Sequence, residues 1–450
     1  MLKKLLAMVM VLFVLAASLP AMAQETGRDF AVKYITDLRS GEKNGELYAM
    51  FSDKTKAQIS EEAFSQLFSQ VEASCGAFVD FGEYNTKEQA GYVIHELILD
   101  MEKQDLLFTL AVDKDGLVAG INFGLPPVKA PVQTEQVTMP EGIAEQAVTV
   151  GEGEWALPGL LTLPKEGSNF PAVVLVHGSG AGNRDEEVGQ TKMFRDLAWS
   201  LAENGIASIR YDKRTRAHGD KFTPELKKSL TVENETIIDA ILAGNIVKAD
   251  SRIDSSRIFV AGHSLGAMLG PRIAKESEGL FAGMVLMSGS PLPLTDIILT
   301  QNEDLLAKLT EEQRKSQQPL VDAEVEKLKA IDTMTEDQLK EQTFFGMPGL
   351  YIKDLLSYDA AAILKELQLP ALILQGGADF QVSLKNGFEA WQAAAGSEAY
   401  ITLKLYPELN HMLMKYTGDP ANQFSIQEYD TTARLDETAA KDIVAWILNH

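Results

Sequence analysis

Three side chains far apart along the chain are of the types that together make a hydroxyl nucleophilic: Ser264, Asp379 and His411. Ser264 stands in Gly262-His263-Ser264-Leu265-Gly266, a G-x-S-x-G pattern. Apolar strand-forming residues precede it and helix formers, Ala267 and Met268, follow. At such a junction the serine occupies a sharp, strained turn, and the glycines let neighbouring backbone come close. A serine alone is a weak nucleophile and needs a base. Of the six histidines, His411 alone falls on a loop after the last strand-like run, "ITLKLYP", and is the expected general base. Asp379 ends "ALILQGGAD", where it can orient the imidazole and stabilise its cation.

Acyl transfer also needs donors for the oxygen that gains charge. His177-Gly178-Ser179-Gly180 follows the apolar run "PAVVLV", and the expected donors are the backbone amides of Ser179 and Leu265. A Gly-rich turn of this kind could instead cradle phosphate, but neither G-x-G-x-x-G nor a Walker pattern is present. The reading needs no cofactor and assigns no metal ligands.

These residues need a frame. From about residue 146 an opening strand pair, "AVTVG" and "WALPGLLTLP", gives way to β-branched runs alternating with helical segments up to Ile447. Continuous apolar strands alternating with helices predict a parallel sheet covered on both faces, joined by right-handed crossovers. Residues 295–360 interrupt the alternation. They read as helical, charged and without a strand, and capping boxes are expected at Thr310/Gln313 and Thr335/Gln338. The apolar cluster Phe344, Phe345, Met347, Leu350 and Tyr351 inside this segment suits a cap that lines a substrate pocket. The basic loop Lys213, Arg214 and Arg216 could hold an anionic substrate group or be paired with acids such as Asp185 and Asp212.

Ahead of this frame lies a different pattern. Residues 26–125 read as helices, over Phe30–Leu38 and "SEEAFSQLFSQVEA", followed by four strand-like runs with an Asp115-Gly116 hairpin signal: a small α+β domain. Residues 126–145, with four prolines, have the composition of a linker. Residues 1–23 read as a signal peptide: Lys3 and Lys4, the apolar run Leu5–Ala17, and Ala21-Met22-Ala23 as an A-x-A site. The apolar run is shorter than the roughly 20 residues of a spanning helix. Cleavage after Ala23, export and no remaining membrane span are expected.

Composition narrows the partners. The 450 residues are 45% hydrophobic and 23% charged, ordinary for a globular protein. A net charge of −23, more negative by two once Lys3 and Lys4 are removed, repels nucleic acid and anionic membranes. The single cysteine, Cys75, cannot form an internal disulfide, so stability must come from core burial.

Residues 146–450 together resemble the α/β-hydrolase family. The resemblance implies a mostly parallel eight-stranded sheet with a helical cap, and acyl transfer through an acyl-serine. The chain order Ser264, Asp379, His411 is that of this fold. "VHGSGAGNRDE" with "IRYDKR" is similar to a bacterial exported esterase group carrying H-G-S-G-x-x-x-R-D and Y-D-K-R-G. The match covers His177–Gly180, Arg184, Asp185 and Tyr211–Arg214, and departs at Thr215, where that group has glycine. The first domain resembles uncharacterised cone-shaped domains of the nuclear-transport-factor-like type, which implies binding or homodimerisation. The expected function is hydrolysis of a small-molecule carboxylic ester. A serine peptidase of the prolyl-oligopeptidase kind and a non-catalytic binding protein on the same fold are the alternatives. Residues 26–125 are too short for a propeller and lack blade repeats, which weighs against the peptidase.

Overall fold

The structure is a computed structural model describing residues 27–56, 59–89, 91–103, 105–124, 138–307, 311–420, 423–431 and 433–450. The expected signal peptide, much of the linker and the Thr310 cap lie outside the described residues. Two compact units divide the chain, the first ending at Pro131 and the second beginning at Val132.

In the first unit, helix Gly27–Ser40 presents Ala31, Tyr34, Ile35 and Leu38 along one side, as a 3.6-residue repeat requires. They pack with a four-stranded antiparallel meander, Phe78–Gln89, Tyr92–Met101, Leu106–Val112 and Val118–Gly124. The segment read as one helix is two, Glu61–Ser65 and Leu67–Cys75, broken at Gln66; Ser60 caps the first by accepting from the Ala63 amide. Cys75 is buried and free.

The second unit is built on an eight-stranded sheet. Its order is Ile401–Tyr406, Ala371–Gly376, Gly283–Met287, Ile253–His263, Phe170–Val176, Ala207–Tyr211, Leu157–Pro164 and Ile143–Val150. The first six are mutually parallel, and Leu157–Pro164 runs antiparallel to both neighbours. Every residue of Phe170–Val176 is buried because both faces are covered. Ala172, Val174 and Val176 share one core with helices Ile238–Ala249 and Leu265–Glu276. Val173 and Leu175 share the opposite one with helices Met193–Glu203 and Glu437–Asn449. Each such aliphatic side chain contributes about 1.5–3 kcal/mol of burial, so a polar substitution at Val174 breaks the centre of the sheet.

Parallel register then does the positioning. Gly262 pairs with Val176, His263 with Met287, Met287 with Leu374, and Gly376 with Tyr406. The segments that leave these strands therefore emerge along one edge of the sheet, where open α/β sheets carry their ligands.

The inserted segment is mainly helical: Leu294–Ala307, Glu311–Lys329, Glu336–Lys340 and Gly349–Leu356. The Thr335/Gln338 capping box is formed. Contrary to expectation the segment contains strand, a hairpin of Thr343–Phe344 and Met347–Pro348. Its two-residue turn has positive φ at Phe345 (49°) and Gly346 (80°), the backbone a tight hairpin turn demands. Arms two residues long leave no alternation in sequence by which to see them.

Candidate active site

Strand Ile253–His263 hands over to helix Leu265–Glu276 through Ser264 alone, at φ 53° and ψ −113°. Non-glycine residues rarely adopt such angles. Three bonds hold it there: its amide donates to Met287 O (2.9 Å), and its carbonyl accepts from the amides of Ala267 and Met268 (3.1 Å each). The flanking glycines are required by space. A Cβ at Gly262 would lie 2.1 Å from Gly266 O, and one at Gly266 2.2 Å from Val176 O.

His411 is nearly inaccessible, and its Nδ1 is 2.8 Å from Asp379 Oδ2. A carboxylate only accepts, so Nδ1 carries the proton and the neutral ring keeps its lone pair on Nε2. Asp379 is itself fixed: Oδ1 accepts from the amides of Gln381 and Val382 (2.8 Å each), and Oδ2 also accepts from Gln375 Nε2 (2.8 Å). The His411 loop is folded on Asn410, whose Oδ1 accepts from the amides of Met412 and Met414. Neither the Ser264 hydroxyl nor His411 Nε2 has a hydrogen-bond partner among the described residues.

What brings the histidine loop to the serine is a residue that sequence reasoning passed over. Glu186 is buried and held at φ 48°. Its Oε1 accepts from the Gly178 amide (2.8 Å) and from His263 Nδ1 (2.9 Å). His263 Nε2 in turn lies 3.1 Å from the His411 carbonyl, so the ring donates to both oxygens when each of its nitrogens carries a proton, and the two rings are 4.8 Å apart. One carboxylate thus ties the Gly178 loop, the serine turn and the histidine loop together. Burial pushes the Glu186 carboxyl up. The hydrogen bond from His263, the charges of the His177 and His263 imidazoles and the Gly178 amide outweigh it and hold it at about 2. His177, packed against Phe194 and Tyr211, is pushed below 6.5 by burial, against the pull of Glu186. The sequence signal for this clamp is slight: Glu186 directly follows Arg184-Asp185, and His263 is the x before the serine.

A cleft of about 480 Å³ opens at Ser264. Ser179 and Leu265 line it beside Ser264, and their amides have no backbone acceptor among the described residues. Phe345 and Met347 line it as expected, joined by Met268, Leu294, Ile297 and Ile298, which were not anticipated. None of the described residues lining the cleft is charged.

Other expected pocket residues lie elsewhere. Phe344 is fully buried in the core, Leu350 packs against that core, and Tyr351 donates to Glu235 Oε2 (2.7 Å). The hairpin turn separates Phe344 from Phe345 and sends only the latter to the cleft. Lys213 and Arg214 do not reach it either. Lys213 Nζ, in a residue only 1% exposed, donates to Gly178 O (2.9 Å) and lies 3.3 Å from Glu235 Oε2. Arg214 forks onto Asp239, whose carboxyl burial raises in spite of the arginine. The neighbouring Arg184 and Asp185 are equally committed, to Asp212 and Arg210. A cation sealed from water is stable only when paired, so these charges serve the loop's architecture.

Comparison with known proteins follows the same division of the chain. Residues 168–417 match the family described as serine aminopeptidase, S33, and residues 31–121 match a protein family of unknown function (DUF3887). Esterase EstD of Thermotoga maritima is 33% identical over 400 residues, 89% of this chain and 90% of its own. Among solved structures, Est1E from Butyrivibrio proteoclasticus is 16% identical with a TM-score of 0.43, over 67% of this chain and 98% of its own. A Pyrobaculum calidifontis esterase is 18% identical with a TM-score of 0.42, over 68% and 85%.

Proposed function

The chain belongs to the serine aminopeptidase (S33) family of α/β-hydrolases, and we propose that within it this protein is a carboxylic ester hydrolase working through an acyl-serine. His411 Nε2 takes the proton of Ser264 as the hydroxyl oxygen attacks the ester carbonyl. The amides of Ser179 and Leu265 receive the oxyanion, each such donor supplying typically ~3–4 kcal/mol to the transition state. Asp379 holds the imidazole in its tautomer and stabilises the cation. Collapse breaks the bond to the alcohol oxygen, which leaves with the proton from His411. Water, deprotonated by the same imidazole, then releases the acid and restores Ser264.

The observation that carries the ester reading over the peptidase one is the uncharged cleft. A peptidase that recognises a free amino terminus needs an anionic partner for it, and burying an unpaired ammonium is costly; Leu294, Ile297, Ile298, Phe345 and Met347 suit an apolar acyl or alcohol group instead. The serine peptidase remains the second reading, favoured by the description of the matched family. Turnover of short p-nitrophenyl esters against aminoacyl amides decides: ester hydrolysis lost in Ser264→Ala supports the first, and amide hydrolysis without ester hydrolysis contradicts it. The reading includes export, supported by the Lys3–Ala23 leader pattern, and a binding or dimerising role for residues 26–125. Mature chains beginning at Gln24 and a dimer that dissociates when that region is altered are the expected results.

A further inference from the structure

One strong buried charge is left without a use by this mechanism. Lys213 follows strand Ala207–Tyr211, and its side chain is 2% exposed. Its partner Glu235 is anchored by Thr215 Oγ1 (2.9 Å) and the Tyr351 hydroxyl (2.7 Å). Stability alone is a poor reason for such a pair, because apolar residues of the same volume do as well or better. What distinguishes it is the third group, Gly178 O at 2.9 Å from the ammonium.

That carbonyl belongs to the same peptide unit as the Ser179 N–H. In a trans peptide the C=O and N–H point in opposite directions within one plane. The amide of Gly178, in the preceding peptide unit, is anchored by Glu186, and the carbonyl of the Gly178–Ser179 peptide itself is bound by Lys213, which restrains the turning of that peptide's plane. With its C=O aimed into the protein at Lys213, its N–H is directed to the opposite side, toward the cleft that Ser179 and Ser264 line. A hydrogen bond from a cation to the carbonyl also polarises the unit, strengthening the N–H as a donor where water is excluded. Glu235 keeps the buried pair neutral and fixes the ammonium without touching the peptide.

We propose that Lys213 is a positioning residue for the oxyanion site: through the Gly178 carbonyl it orients and polarises the peptide that presents the Ser179 amide. The proposal rests on the acyl-serine reading of Ser264.

The test uses the full chain and two readouts, the rate of Ser264 phosphonylation by a fluorophosphonate and kcat and KM for p-nitrophenyl acetate. Lys213→Met is made in a Glu235→Gln background, so that no carboxylate is stranded, and is compared with E235Q alone. Lys213→Gln, which can still donate to Gly178 O, is the conservative variant. Loss of a whole oxyanion donor costs about 10²–10³ in rate; misorienting one is expected to slow both reactions about 10–100-fold, with KM within about 3-fold. K213Q is expected to recover part of that loss. A merely structural lysine would shift the melting temperature without this division between kcat and KM, and glutamine would not restore the rate. The proposal is overturned if folded K213M/E235Q matches E235Q in both readouts, or if K213Q is as slow as the methionine variant. Should the double variant not fold, K213Q at the wild-type rate overturns it and a reduced kcat at unchanged KM supports it. Wild-type chain that takes no label at Ser264 overturns the acyl-serine reading, and this proposal with it.

Discussion

Replacing Glu186 by alanine should cost both stability and rate, and the structure sets the size of each. Two donors end on Glu186 Oε1, the Gly178 amide at 2.8 Å and His263 Nδ1 at 2.9 Å. Without the carboxylate both are buried donors without an acceptor, at about 1–3 kcal/mol each, so about 2–6 kcal/mol of unfolding free energy should be lost. Alanine bears the same left-handed backbone as glutamate, so the comparison isolates the side chain. Glu186→Gln keeps an oxygen for both donors and loses only the charge. Charged hydrogen bonds are roughly twice as strong as neutral ones, so about half the loss is expected. Because His263 also holds the His411 carbonyl, kcat should fall in the same order, wild type above glutamine above alanine. Urea denaturation with kcat on a p-nitrophenyl ester measures both. An E186A protein with an unchanged midpoint and a kcat within about twofold of wild type would refute the clamp.

Three further outcomes follow from the same geometry. Phe344→Ala should destabilise by about 3–5 kcal/mol, as for a buried phenylalanine, and leave KM unchanged, whereas Phe345→Ala should raise KM with little effect on stability; the reverse pattern would return Phe344 to the cleft. Gly266→Ala, whose Cβ would meet Val176 O at 2.2 Å, should abolish activity and lower the melting temperature, and an active variant would show that the serine turn is slack. His177, held below 6.5 by burial, takes up its proton at a lower pH in the fold than in the unfolded chain, which therefore binds its proton first. Its contribution is complete above pH 6.5 and is lost as the pH falls through its lower folded value. The drop in urea midpoint from about pH 7.5 to about pH 5.5 should therefore shrink in His177→Gln, and an unchanged drop would contradict this.

The sequence shows the sheet because its strands are buried on both faces, so "AVVLV" and "ALILQ" stand out as unbroken apolar runs. It marks Ser264 and Asp379 because each follows such a run, and His411 because it follows the last strand, the half-exposed edge strand Ile401–Tyr406; parallel strands deliver their ends to one edge. Side-chain direction is harder. Phe344 and Phe345 are adjacent and identical in type, and only the two-residue turn between arms too short to read separates core from cleft. Lys213 shows in sequence as a charge near the site. That it is sealed inside, against a carbonyl 35 residues earlier, depends on packing that no local pattern encodes. Glu186 was illegible for the same reason: its partners lie 8 and 77 residues away.

The most direct measurement is mass spectrometry of the chain quenched in acid during turnover of p-nitrophenyl acetate. One acetyl group on the peptide containing Ser264, longer-lived in His411→Ala than in wild type and missing in Ser264→Ala, is the result this account predicts. Steady turnover with no acyl group on that peptide, or turnover that survives Ser264→Ala, would contradict it.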